Sequence, residues 1–363
     1  MTVRGMSAAR CLSFLLSRGM ARNASASRKP RERNGKFRET AGQFRENFRR
    51  HHRDIPREQD SPQMSSLKRF ARSLTGRVRH RGVLGACKYT ARSLLQWHRH
   101  AAWLAFAETQ APMAQVVQND PPLLERYQHR FISLRMSPAD RLAALASHYA
   151  VVLRYFPPVL VRELYVGREV RLGALPLRDG SMVDVVLKAP PLRGREGELG
   201  IYLVDEAGLH LSYAVITFAD DGRTVLVGCL QGAAASAGRE AVRDLTRRSH
   251  GLRPKNLLLS MIHAMAARVG AERIRAVGNA VHPFAGVADK IKADYDGFWL
   301  ENGGVRGKDG MFDLPATEPV RDVAQVESKH RSAFRKREAL RLDACALVST
   351  AIGMPREEVP IAA

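Results

Sequence analysis

Between Glu198 and Phe284 the apolar positions change period twice. GELGIYLVD, GLHLSYAVITFAD and RTVLVGCLQG carry short alternating or continuous apolar runs, the pattern of strands. After Pro254 the apolar residues Leu257, Leu258, Met261, Ile262, Met265 and Val269 recur at helical spacing, and RIRAVGN returns to strand. Thr224–Leu230 is nearly all apolar, as expected of a central strand buried on both faces. A helix between two strands predicts a crossover, so Thr224–Leu230 and Ile274–Val277 should be parallel neighbours. Pro254 suits the first helical position and Gly270 the stop. A short helix, Gly238–Ser249, precedes the long one.

The flanks read differently. Ser65 to Phe156 is helical in pattern, with Ser137 as an N-cap, Pro138 behind it and Asp140 three residues on. Asn119-Asp120-Pro121-Pro122 and Phe156-Pro157-Pro158 are breaks, the second a domain boundary. From Leu164 the pattern is strand-like, with turns at Gly167 and Arg178-Asp179-Gly180. ADKIKADYDGFWLENGG is expected to be a helix ending near Gly304, Gly310–Leu314 a short strand, and Val320–Val348 a long charged helix. The expected organisation is a basic, disordered tail over 1–64, a helical region over 65–156, a mixed α/β domain over 157–348 and a loose C-terminus over 349–363. The fold class is α+β: a mixed sheet with a central strand–loop–helix–strand core, preceded by a helical N-terminal region.

Charge adds a constraint on partners. The 363 residues carry 58 Lys and Arg against 36 Asp and Glu, a net charge of +22. Such a chain is drawn to polyanions: an anionic membrane surface, a phosphate-bearing ligand or nucleic acid. The tail is either solvated or, through Phe37, Phe44 and Phe48, a basic arm on such a surface. Nucleic acid has no supporting motif, since there is no helix-turn-helix, zinc finger or aromatic RNA platform. Cys11, Cys87, Cys229 and Cys345 form no CxxC pair and have no His at ligand spacing, which argues against zinc and for a reducing compartment. No run reaches the ~18–20 apolar residues of a membrane span. CLSFLL near the start is short for a secretory core, and an Arg-rich targeting segment is an alternative. A cytoplasmic protein, peripheral at the inner membrane, fits these features.

The strongest candidate site is RRSHGLRPK. It leads into the N-terminus of the long helix, where free amides and a partial positive charge favour an anion. It lacks the GxxxxGK[ST] of a P-loop. The order of strands, Arg/Gly loop, helix and parallel strand resembles the core of the acyl-CoA N-acyltransferase (GNAT-like) fold. The resemblance implies that Arg248, Gly251, Arg253 and Lys255 hold the pyrophosphate of an acyl-CoA cofactor. It implies too that Tyr295, in ADYDGFWLENGG, is the general acid for the leaving thiolate. Arg253 stands where that family has a small residue. In such enzymes the pantetheine arm lies where the two parallel strands splay, here VGCLQG and RIRAVGN. Among other groups, Glu198, Asp205 and Glu206 read as solvated carboxylates at turns, and Cys229 as an inert buried thiol. Ser212 and Ser260 lack a nucleophile elbow.

A second resemblance covers more of the chain. ERYQHRFISLRMSPADRLAALASHY, HLSYAVITF, VGCLQG, DLTRRSHGLRPKNLLLSMIHAMA, VGNAVHP, KIKADYDGFWLENGG and GMFDLP, in that order from about Asn119 to Leu342, resemble the VirK/YbjX family of bacterial proteins. The resemblance implies a Gram-negative source and a link to envelope integrity and virulence. It also implies resistance to antimicrobial peptides and, in some members, stress or DNA-damage responses. It supplies no catalytic residue.

Overall fold

The computed structural model describes residues 65–190, 194–232, 238–287, 293–319 and 322–353. The tail over 1–64 lies outside them. The described residues form two compact units, 65–108 and 109–353.

In the first unit, helix α1 (Ser66–Leu94) starts at the N-cap Ser65 and is broken at Gly82, where φ is 67°. Helix α2 (Trp97–Thr109) turns back so that Tyr89 Oη meets His100 Nε2 at 2.8 Å. Phe70 stacks on Tyr89 and meets Trp97 edge-on. His100 is a core residue, and burial pushes it down to about 4.

The second unit is built on an eight-stranded mixed sheet in the order β1-β2-β3-β4-β5-β6-β8-β7. Its helices begin with α3 (Ala111–Asn119), a 3-10 segment Pro121–Gln128, α4 (Pro138–Tyr155) and α5 (Pro158–Tyr165). Ser137 and Asp140 close a full capping box on α4. Leu164 and Tyr165 end helix α5 rather than open a strand, because Pro158 starts a turn whose Leu160, Val161, Leu164 and Tyr165 are all buried. The hairpin β1 (Glu169–Pro176) and β2 (Met182–Lys188) follows, then β3 (Leu199–Asp205), β4 (His210–Ala219) and β5 (Thr224–Gly232). All of these pair antiparallel.

Every residue of β5 from Thr224 to Leu230 is buried, as a strand covered on both faces must be. Helices α6 (Gly238–Arg248) and α7 (Pro254–Val269) then cross to β6 (Arg273–Val277), which pairs parallel to β5. The expected strand–loop–helix–strand core is therefore present. Gly270 ends α7 in the left-handed region, at φ 74°. The remainder is α8 (Tyr295–Glu301), the strands β7 (Val305–Arg306) and β8 (Met311–Leu314), and α9 (Arg331–Ala351).

Two of these elements are shorter than the sequence pattern predicts. The helix expected over ADKIKADYDGFWLENGG is, in its described part, only α8, because Asp294 caps it by accepting from Gly297 N. The long C-terminal helix starts at Arg331, after two 3-10 turns at Val323–Gln325 and Ser328–His330. Helix α4 packs on β4 of the sheet. His148 of α4 stacks on Phe218 at 5.5 Å and accepts from its backbone N–H at 3.2 Å.

Candidate functional site

The site forms where β5 leaves β6. Parallel pairing covers Thr224–Val227 against Arg273–Ala276 and stops there. On the other side of β5, Val215 pairs with Cys229 and Ile216 with Val227, so Gly228 is an extra, bulged residue. A Cβ at Gly228 would lie 1.9 Å from the carbonyl oxygen of Glu196, so only glycine lets that loop cross the strand. Beyond the bulge, β5 continues to Gly232 without its parallel neighbour.

Tyr295 takes the vacated edge. Its Oη accepts from Leu230 N–H and from Gln231 Nε2, each at 3.4 Å, and donates to Cys229 Sγ at 3.5 Å. Asn279 Oδ1 holds the start of α8 by accepting from the amides of Tyr295 (2.8 Å) and Asp296 (2.9 Å). Tyr295 is 1 % exposed, and burial pushes its phenol well above its ordinary range.

One turn further along α8, Phe298 lines a cavity of about 370 Å³ at the carboxyl end of β5. Val242 and Pro254 complete its apolar wall, and Arg243, Arg253 and Lys255 supply its charge. The cavity opens on the N-terminus of α7. Arg253 occupies the N-cap position with no side-chain cap bond, which leaves the positive end of the helix open. Lys255 holds its ammonium 5.5 Å from the centre of the Phe298 ring, and burial lowers its pKa. Arg253 is drawn partly aside, bonding Glu301 at 2.5 Å and Asn256 at 3.1 Å.

Of the four residues expected to bind an anion, Arg253 and Lys255 line this cavity. Arg248 reaches the β1–β2 hairpin, bonding Ser181 Oγ at 2.9 Å, and pairs with Asp244 at 2.7 Å. Gly251 belongs to the stop of α6. Its N–H donates to Thr246 O at 2.8 Å while His250 sits at φ 55°, a Schellman arrangement. A Cβ on Gly251 would meet open space, so the residue is needed for its φ of 83° and not for close approach of a ligand.

Two residues beside Tyr295, Glu196 and His282, carry no signal in the sequence pattern. Glu196 Oε1 lies 3.3 Å from His282 Nε2, with the two side chains 2 % and 0 % exposed. His282 Nδ1 accepts from Phe284 N–H at 3.2 Å, so the neutral ring carries its proton on Nε2, facing Glu196. His282 also stacks on Tyr295 at 5.3 Å. Cys229 is fully buried, as the sequence predicts, and accepts a hydrogen bond from Tyr295 Oη at 3.5 Å. Glu196 Oε2 and His282 Nε2 have no hydrogen-bond partner.

A family model described as a protein of unknown function (DUF535) matches residues 81–348. The chain belongs to this family. An uncharacterized protein YbjX of Escherichia coli (strain K12) is 28% identical to this DUF535 chain over 290 residues, covering 76% of this chain and 87% of its own. An uncharacterized protein of Haemophilus influenzae is 25% identical over 230 residues, covering 62% and 74%. These matches agree with the VirK/YbjX resemblance. Among solved structures, a mutant form of a cAMP-binding acyltransferase from Mycobacterium smegmatis is 13% identical, with a TM-score of 0.25, over 57% of this chain and 60% of its own. Among the described residues of this DUF535 protein, no group of three or more His, Cys, Asp or Glu could hold a metal ion.

A second buried network braces the sheet. Arg126 joins Glu198 to Asp120, and Tyr149 Oη donates to Glu198 Oε2 at 2.9 Å. Glu198 is thus a fully buried residue and not a solvated turn carboxylate. Burial, opposed by Arg126, pushes it up to about 7.

Proposed function

We propose that this protein binds an acyl-CoA-type donor in the cavity at the head of α7 and transfers its acyl group. The observation that carries the reading is the coincidence of three features. An uncapped helix N-terminus, a cavity bearing Arg243, Arg253 and Lys255, and a strand that leaves its parallel neighbour all meet at one end of β5. The helix end and the cations suit a pyrophosphate. The strand edge suits an extended arm, and Tyr295 aims its proton at a sulfur atom already. Arg248 and Gly251 support the site by fixing the end of α6. Titration calorimetry with acetyl-CoA and octanoyl-CoA tests the reading, and no heat from either at millimolar concentration overturns it.

A second reading concerns where such a reaction takes place. Helix α1 exposes Lys68, Arg72, Lys88 and Arg92, and Leu67 and Leu84 on it are exposed too. No helix among the described residues is long and apolar enough to cross a membrane. Basic and apolar groups together favour an anionic bilayer surface, which is consistent with the envelope and antimicrobial-peptide traits that the family resemblance implies. Sedimentation with phosphatidylglycerol vesicles should be strong at low salt and lost at high salt. Equal sedimentation with neutral phosphatidylcholine vesicles would exclude it.

A further inference from the structure

A second cavity, of about 290 Å³, shares Arg253 with the first. It lies in the seam where α9 packs along α7. On α9, Phe334, Arg337, Arg341, Ala344 and Val348 recur at spacings of three and four, and Phe334, Ala344 and Val348 are buried. Arg337 and Arg341 therefore occupy positions of an apolar stripe. The facing turns of α7 bring Asn256 and Ser260, again polar, and Ser260 is 1 % exposed. A seam shaped by stability alone puts apolar side chains at such positions, because charge is costly to desolvate. The groups are not equally committed. Arg341 lies between Glu318 at 2.6 Å and Glu338 at 2.9 Å, and Ser260 Oγ donates to the other oxygen of Glu318. Arg337 lies 5.4 Å from the centre of the Phe334 ring, and no carboxylate among the described residues pairs with it. Glu338 meets Arg341 through Oε2, which leaves Oε1 as an acceptor. Leu252 and Pro319 add apolar wall.

We infer that this seam cavity holds the nucleotide end of the acyl donor, with Arg337 on the ribose 3′-phosphate and Glu338 on the neighbouring ribose hydroxyl. The inference rests on the acyl-donor reading above and deepens it. It makes the donor a thioester that carries a nucleotide, and not a phosphopantetheine arm borne on a protein. Arginine suits a phosphate, and a carboxylate accepts from a ribose hydroxyl. The base lies against Leu252 and Pro319. Arg341 keeps Glu318 and Glu338 neutralised, so the one uncommitted cation of α9 decides the sign of the ligand. The donor then spans both cavities, with its pyrophosphate beside Arg253 at the head of α7 and its arm running toward the open edge of β5. Neither cavity alone is large for such a ligand, since small-molecule sites run from about 300 to 1,000 Å³.

The test is titration calorimetry on the full chain with acetyl-CoA, acetyl-3′-dephospho-CoA and adenosine 3′,5′-bisphosphate. Loss of the 3′-phosphate should weaken binding to the parent protein about 10-fold. Arg337→Ala should weaken acetyl-CoA by about the same factor and bind the two donors alike, whereas Arg337→Lys, which keeps the charge, should retain part of the preference. The bisphosphate, which lacks the pantetheine arm, should compete with acetyl-CoA. A purely structural role for Arg337 would weaken both donors by one factor and keep their ratio. Acetyl-CoA binding with no preference for the 3′-phosphate, or a preference that Arg337→Ala keeps, overturns the inference and leaves the donor reading standing. Absence of any acyl-CoA binding overturns both.

Discussion

Tyr295 Oη donates its proton to Cys229 Sγ across 3.5 Å while accepting the Leu230 amide proton at 3.4 Å. One phenol therefore caps an open strand edge and serves the sulfur beside it. Tyr295→Phe removes these two bonds and the one from Gln231 Nε2 but keeps the ring that stacks on His282. The buried Leu230 N–H loses its partner, which costs about 1–3 kcal/mol. Urea denaturation measures that loss. Acyl-CoA affinity should stay within about 2-fold, whereas transfer should fall ~10²-fold or more. An equal drop in affinity would make Tyr295 a binding residue instead.

The cavity's charges should act on the phosphate end of a donor and not on its thioester. Lys255→Ala is expected to weaken acetyl-CoA about 10-fold, a difference of ~1.4 kcal/mol. It should leave acetyl-pantetheine, which lacks the phosphates, unchanged. Glu301→Gln should shift affinity the other way, because it releases Arg253 from the ion pair now holding it at 2.5 Å. Calorimetry at two salt concentrations reads both effects, and loss of acetyl-pantetheine binding in Lys255→Ala would show that the lysine shapes the pocket rather than meeting phosphate.

Two glycines near the site should respond differently to the same change. Gly228→Ala drives a Cβ into the backbone of Glu196, so the loop or the bulge must move, and both carry the groups around Cys229. The expected cost is about 2–4 kcal/mol, with loss of transfer. Gly251→Ala meets open space and strains only φ, for about 1–2 kcal/mol, with donor binding retained. Melting curves and calorimetry on both variants decide. If Gly251→Ala abolished binding while Gly228→Ala spared it, the site would lie at the RSHGLR turn.

Local signals account for what could be read in advance. The apolar run of β5, the period of α7 with Pro254 and Gly270 at its ends, and the Ser137 cap each encode their element within a few residues. The parallel β5–β6 pair followed from handed crossover connections. Of the four residues expected to hold an anion, Arg253 and Lys255 sit at the helix start and line the cavity, while Arg248 and Gly251 look alike in sequence but terminate the preceding helix. Glu196, Cys229, His282 and Tyr295 come from four separate elements, and no spacing links them. Gly228 gave no hint of its bulge, because the need for glycine there comes from a loop more than thirty residues away. The same holds for Glu198, whose partners Arg126 and Tyr149 belong to earlier helices.

His148 should set an acid limit on stability. It is fully buried against Phe218, its Nδ1 accepting from the Phe218 amide and its Nε2 meeting Tyr165 Oη at 2.7 Å. With Nδ1 occupied as an acceptor, Nε2 carries the one proton of the neutral ring, and a second has no place. Burial pushes the group down from 6.5 to about 3. Between those values the unfolded chain binds a proton that the folded chain refuses, so stability falls as pH drops below about 6.5. At pH 5 the loss from this group is about 2 kcal/mol. Glu198, pushed up to about 7, works in the opposite sense: its folded form holds a proton that the unfolded form releases, so its contribution declines as pH rises from about 4.5 to 7. The two partly cancel in the intact protein, and a difference measurement separates them. His148→Gln keeps a donor for Tyr165 and an acceptor for Phe218 but cannot titrate. Urea unfolding should find it less stable than the parent at pH 7, with the gap narrowing by about 2 kcal/mol at pH 5. A gap that stays constant between the two pH values would mean that His148 takes up its proton in the folded state, and that the Phe218 amide does not hold Nδ1.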